Sequence, residues 1–312
     1  YARREKKWWT NIDNLLRFVA LWQCFVVFAV FLSLPVIVLS AVDSRLTRAG
    51  VLARSHNMAP YVQRGMAQIV LFLCGIKLVT QAAQGQYWES RGGARTIVYF
   101  THASTLDAFI ICATCPVSYT VFAKKELFLL PFFGWLLFAF GGVPIDRADR
   151  QRAVRSLAVA AKQSKAGDTL LISPEGTRSP NGQLLPFKKG PFYLWENTRA
   201  NIAPIVLYGA FDLFPPKQYM SHTGRVYVRY ADPIMCDQVQ GREDMSRRTR
   251  RRMLETLQDS PKDAGADLSS SERMVCGVSV LLSYIVGHFI WSTAADVLFA
   301  STGESSSTVL VN

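Results

Sequence analysis

The sequence predicts an α/β protein: a mixed central sheet flanked by helices, with an N-terminal membrane helix pair and a C-terminal membrane helix. From Arg95 onward, short β-branched and aromatic runs alternate with helical patterns, the texture of an α/β domain. Ahead of that region, Phe18 to Val42 is apolar for about 25 residues, enough to cross a bilayer core of about 30 Å at about 1.5 Å per residue. Behind it, Met274 to Ala295 is apolar on every face and again of membrane-spanning length, with His288 inside it. The resulting bounds are an anchor over 1–83, an α/β domain over 84–260, a polar linker over 261–273, a transmembrane helix over 274–300 and a polar tail over 301–312.

Composition narrows the partners. Half of the 312 residues are hydrophobic and the net charge is +12. Such a charge suits nucleic acid, anionic lipid or an acidic small substrate; beside membrane-length apolar blocks, lipid headgroups and phosphate are favoured. Nucleic acid would account for the charge and for nothing else. Six cysteines are present, and Cys112 with Cys115 forms a lone CxxC with no second pair at zinc spacing, so free buried thiols are expected. The chain opens on Tyr1 rather than methionine, so it is expected to be a fragment or processed form.

At the N-terminus, Arg3, Arg4, Lys6 and Lys7 precede Trp8 and Trp9, the pattern of an interfacial anchor. A second apolar run, Met66 to Val79, is interrupted by Lys77. The loop between the two runs carries Arg45, Arg48, Arg54 and Arg64 against Asp43. Two full crossings would put both basic clusters on opposite sides of the bilayer, so a hairpin whose second arm dips into one leaflet is expected. Strands are predicted at Thr96–Phe100, Tyr119–Ala123, Gly142–Ile145, Thr169–Ile172, Ile202–Tyr208 and Val226–Tyr230. Helices are predicted after Ser104, over Arg150–Lys165, over Lys188–Asn197 and over the arginine-dense Asp244–Asp259. Glu126 to Phe140, rich in Leu, Phe and Trp, is either core or a membrane-facing ledge.

Chemistry gathers at the strand ends. His102 follows the Thr96–Phe100 strand, and Asp107 lies one helical turn further on, inside the helix-start signature Ser104-x-x-Asp107. An imidazole with a carboxylate at that spacing is a candidate base and its orienting partner; it is equally a polar loop residue beside a helix cap. Three further strand-end clusters stand out: Gly142 to Arg147, Ser173 to Arg178, and Asn201 to Val206 with Lys188, Lys189 and Gly190 upstream. Arginine forks match phosphate oxygens, Gly176 lets backbone approach a ligand, and Thr177 adds a hydroxyl donor.

In that order, His102-x4-Asp107, the Pro131-x-x-Gly134 to Asp146-Arg147 block, Glu175-Gly176-Thr177-Arg178 and Ala203-Pro204-Ile205 resemble the four blocks of the glycerolipid acyltransferases. The particular likeness is to the 1-acyl-glycerol-3-phosphate (PlsC-like) group, and Leu184 to Gly190 shares it. The match covers roughly residues 94 to 235. Thr101 stands where the family often has Asn, Pro144 where it has Phe, and Ser173 where it has an aromatic residue. None of these removes a reacting group.

The resemblance implies that His102 takes the proton of a lysophospholipid sn-2 hydroxyl, which attacks acyl-CoA, while Asp107 orients the ring. It implies that Arg147, Glu175, Gly176, Thr177 and Arg178 bind the glycerol phosphate, that Lys188 and Lys189 meet phosphate or CoA, and that Pro204 shapes the acyl-CoA side. Acyl-CoA is a co-substrate; no bound cofactor and no metal are expected. The product would be phosphatidic acid, at a membrane of the endoplasmic reticulum, by an integral or monotopic enzyme. Alternatives left open are a choline, ethanolamine or inositol lysophospholipid as acceptor, a lipid hydrolase using water, and a non-catalytic binder of anionic lipid.

Overall fold

Residues 59–80 and 94–278, apart from 118, 131–132, 140, 165–167 and 219–220, together with residue 285, are described by a computed structural model. The central strand β2 (Thr96–Phe100) is buried at every position, and its alternation separates two cores. Val98 and Phe100 face one core, whereas Ile97 and Tyr99 face the other, as the two-residue period of a strand requires.

The remaining elements are α1 (Ala59–Leu73), β1 (Ile76–Thr80), α2 (Asp107–Thr114), β3 (Tyr119–Lys124), a 3-10 turn (Lys125–Leu129), α3 (Phe133–Ala139), β4 (Val143–Ile145) and α4 (Arg150–Gln163). After β5 (Thr169–Ile172) come α5 (Lys189–Thr198), β6 (Asn201–Tyr208), the short α6 (Ala210–Leu213), β7 (Gly224–Tyr230) and α7 (Gly241–Gln258). The strands form one seven-stranded sheet in the order β1-β7-β6-β2-β5-β3-β4. β6 and β7 are antiparallel and every other neighbouring pair is parallel, so β1 and β7 run against the other five strands. Helices α1 and α2 contribute Leu71, Ile110 and Ile111 to the first core. Helices α4, α5 and α7 cover the other face with Leu157, Phe192, Trp195, Met245 and Met253. The mixed sheet flanked by helices therefore stands as expected.

Three sequence expectations change. Met66 to Val79 is not one apolar arm: α1 ends at Leu73, Gly75 at φ +68 turns the chain, and β1 follows, paired in parallel with β7. Leu71, Leu73, Cys74 and Ile76 bury against protein, while Lys77 ion-pairs with Glu272 at 2.6 Å. The α/β unit therefore includes residues on the anchor side of the expected 83/84 boundary. Residues 261–273 are not a free linker. The Gly265 N–H donates to Arg225 O and the Arg225 N–H to Ala266 O, Leu268 is buried, and Glu272 bridges Arg225 and Lys77.

The arginines of α7 are largely committed. Arg247 and Arg248 bind Asp244, Arg251 binds Glu255, Arg252 binds Asp232 and Arg242 binds Glu196. Their pairing accounts for the charge density without a lipid. The basic N-terminus, Phe18 to Val42, Arg45, Arg48 and Arg54 of the Arg-rich loop and most of 274–300 lie outside the described residues, whereas Arg64 sits within α1 and donates to Ala113 O. Residues 270–278 are helical, and among the described residues no helix is long and apolar enough to cross a membrane.

Candidate active site

The C-terminal ends of β2, β3, β4, β5 and β6 share one edge of the sheet, where an open α/β sheet presents ligands. Thr101 extends the β2–β6 ladder beyond Phe100: its N–H donates to Ile205 O and its hydroxyl accepts from the Leu207 N–H. A residue with a short side-chain acceptor at this bulge fixes where the next side chain starts. That next residue is His102.

His102 Nδ1 lies 2.9 Å from Asp107 Oδ2, which also accepts from the Ala103 and Ser104 N–H groups at 2.7 and 2.8 Å. Because that oxygen is an acceptor, Nδ1 carries the proton and Nε2 is left as the basic nitrogen. The Asp107 side chain is 1% exposed and the His102 side chain 17%, so the carboxylate is sheltered and the imidazole reachable. Asp107 is the first residue of α2, whose N-cap is Leu106 without a side-chain cap bond; its carboxylate reaches back past the cap to the Ser104 N–H. The Ser104 hydroxyl accepts from the Leu106 N–H and donates to Phe214 O, tying the loop to the segment after α6.

Glu175, expected in substrate binding, lines the cavity beside His102 and is held by backbone. It is 1% exposed, and its two oxygens accept from the His102 N–H and the Leu185 N–H, each at 2.8 Å. Burial pushes its carboxyl above the usual glutamate range, opposed by those two hydrogen bonds. Glu175 is thus a brace between two loops. The Ser179 N–H returns a bond to His102 O at 2.7 Å, and Arg250 of α7 donates to Leu184 O and Leu185 O from behind.

Gly176 sits at φ +70 in the turn, with the Lys188 side chain packed across it. Thr177 and Arg178 are exposed beyond that turn, and Arg178 donates to the Thr105 hydroxyl. Arg147, at the end of β4, is brought close to Arg178. Surrounding protein and the like charge of Arg178 hold its guanidinium below its ordinary value. Asp146 takes no part: Lys125 at 2.7 Å and the Ala148 N–H engage it, and Lys125 holds its carboxyl below the usual range. Lys189 is exposed at the first residue of α5. Pro204 is buried inside β6, its carbonyl accepting from the Ala231 N–H, so it shapes the sheet and not the ligand surface.

A cavity of about 330 Å³ opens beside His102. Thr101, His102 and Glu175 line it with Gln183, the segment from Leu207 to Asp212, and the segment from Leu257 to Ala264. Sequence reasoning missed Thr105, Gln183, Ser260 and Lys262. Thr105 fills an unspecified position of His102-x4-Asp107, and no motif marks the other three, which are polar residues in stretches that read as turn or linker.

A mixed α/β sheet with a carboxylate-held histidine at the strand ends, and Arg178 bonded to Thr105 of the histidine loop, defines a base-centred site on an open-edged α/β fold. The sequence model of the Acyltransferase family matches residues 80–208. The 1-acyl-sn-glycerol-3-phosphate acyltransferase of Saccharomyces cerevisiae is 34% identical over 168 residues, 52% of this chain and 55% of the yeast protein. The Helicobacter pylori protein of the same name is 33% identical over 159 residues, 48% of this chain and 67% of its own length. The crystal structure of the 1-acyl-sn-glycerophosphate acyltransferase PlsC from Thermotoga maritima superposes with a TM-score of 0.65 at 22% identity, covering 81% of this chain and 99% of that one. That likeness establishes the shared fold. The chain belongs to the acyltransferase family. It spans about half the length of the yeast relative.

Proposed function

We propose that this protein is an acyl-CoA-dependent O-acyltransferase that acylates the sn-2 hydroxyl of 1-acyl-glycerol-3-phosphate to phosphatidic acid, a step of phospholipid biosynthesis. The observation that carries the reading is the Asp107-held His102, with Arg178 bonded to Thr105 of the same loop. His102 Nε2 takes the hydroxyl proton as the acceptor oxygen bonds to the thioester carbonyl carbon. Asp107 holds the tautomer and stabilises the imidazolium. The C–S bond then breaks, and the imidazolium returns the proton to the departing sulfur, releasing CoA as a thiol. The substrate supplies the nucleophile.

The arginine pair takes the phosphate of the acceptor. A free phosphate monoester carries about −1.5 to −2 charges near neutral pH, against about −1 when choline, ethanolamine or inositol is attached, so two cations favour lysophosphatidate. The enzyme works at a membrane, of the endoplasmic reticulum on the layout of its flanking segments. Exposed Leu127, Leu129, Leu130, Trp135 and Phe138 support that placement. They lie on the connection leaving the C-terminal end of β3, the same edge that carries His102.

The test is purified full-length chain with labelled acyl-CoA and a panel of lysolipids. Label should enter phosphatidic acid fastest, and His102→Ala should lower transfer by about 10²–10⁴-fold with folding intact. Fatty acid released at the same rate without acceptor would make the protein a hydrolase. Unaltered transfer by His102→Ala would overturn the mechanism.

A further inference from the structure

The cavity beside His102 has a wall that neither the arginine pair nor the motif blocks include, the segment from Leu257 to Ala264. Neither Arg147 nor Arg178 lines it. The cavity is thus a second surface open to the His102 imidazole, apart from the arginines. Lys262 lines the cavity while being exposed, which puts its ammonium at the mouth, and it has no ion-pair or hydrogen-bond partner among the described residues. The three acids of the lining are engaged: Asp107 Oδ2 by three donors, Glu175 by two N–H groups, and Asp212 by a partner of its own.

At about 330 Å³, the space is near the lower end of small-molecule sites, which run from about 300 to 1,000 Å³. A space of that size suits a narrow, unbranched chain. Its lining alternates apolar side chains, Leu184, Phe211 and Leu257, with the polar Gln183 and Ser260. Such a mixture suits an arm of methylenes and amides. Lys262 at the opening suits a phosphate at the end of that arm.

We infer that this cavity is the donor subsite: it takes the pantetheine arm of the acyl thioester, with Lys262 on the adjoining phosphate. The inference rests on the acyl-CoA-dependent reading above and adds to it the residues 257–264 as a working wall. The thioester carbonyl is then delivered to His102 from inside the cavity, as the acceptor hydroxyl arrives from the arginine side. The two substrates do not compete for one entrance.

The experiment separates binding from transfer. Titration of CoA, without an acyl group, into full-length protein is followed calorimetrically for the unaltered chain, Lys262→Glu and Ser260→Trp. Both positions are exposed, so neither change disturbs the core. Each variant should weaken CoA binding about tenfold or more, and raise the KM for acyl-CoA in step, with the KM for lysophosphatidate within about twofold. Acyl-pantetheine lacking the phosphate should respond to Ser260→Trp but not to Lys262→Glu. Unchanged CoA binding in both variants, or a rise confined to the KM for the lysolipid, overturns the donor subsite, as does an unaltered chain that binds no CoA. CoA binding that falls in both variants, in a protein that transfers no acyl group to any lysolipid, sustains the subsite and overturns the transferase reading instead.

Discussion

The two walls of the site are built in opposite ways. The His102 wall is local: strand, loop and helix start follow one another, and Asp107 reaches back over a single turn to His102, Ala103 and Ser104. The facing wall is assembled from Gln183, the residues after β6 and a strap after α7, held down by Glu272 across β7 and β1. Local geometry sets the chemistry of the base. Distant segments set what is brought to it.

Mutations that separate the walls are ordered by expected effect. Asp107→Asn should be the most severe, lowering kcat by about 10²–10⁴-fold with each KM little changed, because the ring loses its tautomer and charge partner and not its substrates. Steady-state kinetics check this, and an unaffected kcat would reduce Asp107 to a holder of the Ala103 and Ser104 N–H groups. Arg178→Ala should raise the KM for lysophosphatidate by about tenfold or more while CoA titrations stay unchanged, the mirror image of Lys262→Glu. If one of these variants alters both ligands equally, the walls are not separate.

Glu175→Gln tests the brace that joins them. An amide NH₂ then faces a backbone N–H, so one donor is left unsatisfied at a cost of about 1–3 kcal/mol. Thermal denaturation should show a Tm lower by several degrees, with the KM for phosphate-bearing acceptors preserved. A selective KM change at unaltered Tm would return Glu175 to the substrate. The smallest effect belongs to the strap. Lys77 and the bonds from Ser269 hold the Glu272 carboxyl down from 4.5 to about 2. A lowered folded-state value means that its contribution is complete above about 4.5 and is lost as pH falls towards about 2. Proteolytic nicking within 261–273 should therefore rise over that window, and Glu272→Gln should show raised nicking already at neutral pH.

What could be read from the chain follows the same division. The described strands from Thr96 to Tyr230 sit close to their expected positions, because β-branched runs bounded by turns carry their own signature. The strand β1 was hidden: with α1 and Gly75 it read as one apolar segment, and only its pairing with β7 shows where the helix stops. His102 and Asp107 were legible from spacing. Glu175 was legible as important and not as what it does, since a buried carboxylate accepting two N–H groups has the same sequence as one that meets a ligand. Lys262 and Ser260 carried no signal at all.

The sequence by itself determined the α/β class, most strand positions, the candidate base and its carboxylate, and the candidate phosphate arginines, because each depends on residues within a few positions of one another. Tertiary structure alone decided that Arg147 and Arg178 are neighbours, that Pro204 is buried and that a polar stretch after α7 closes a cavity over His102. Those relations are between segments remote along the chain, and only the strand order and the packing of helices on the sheet bring them together.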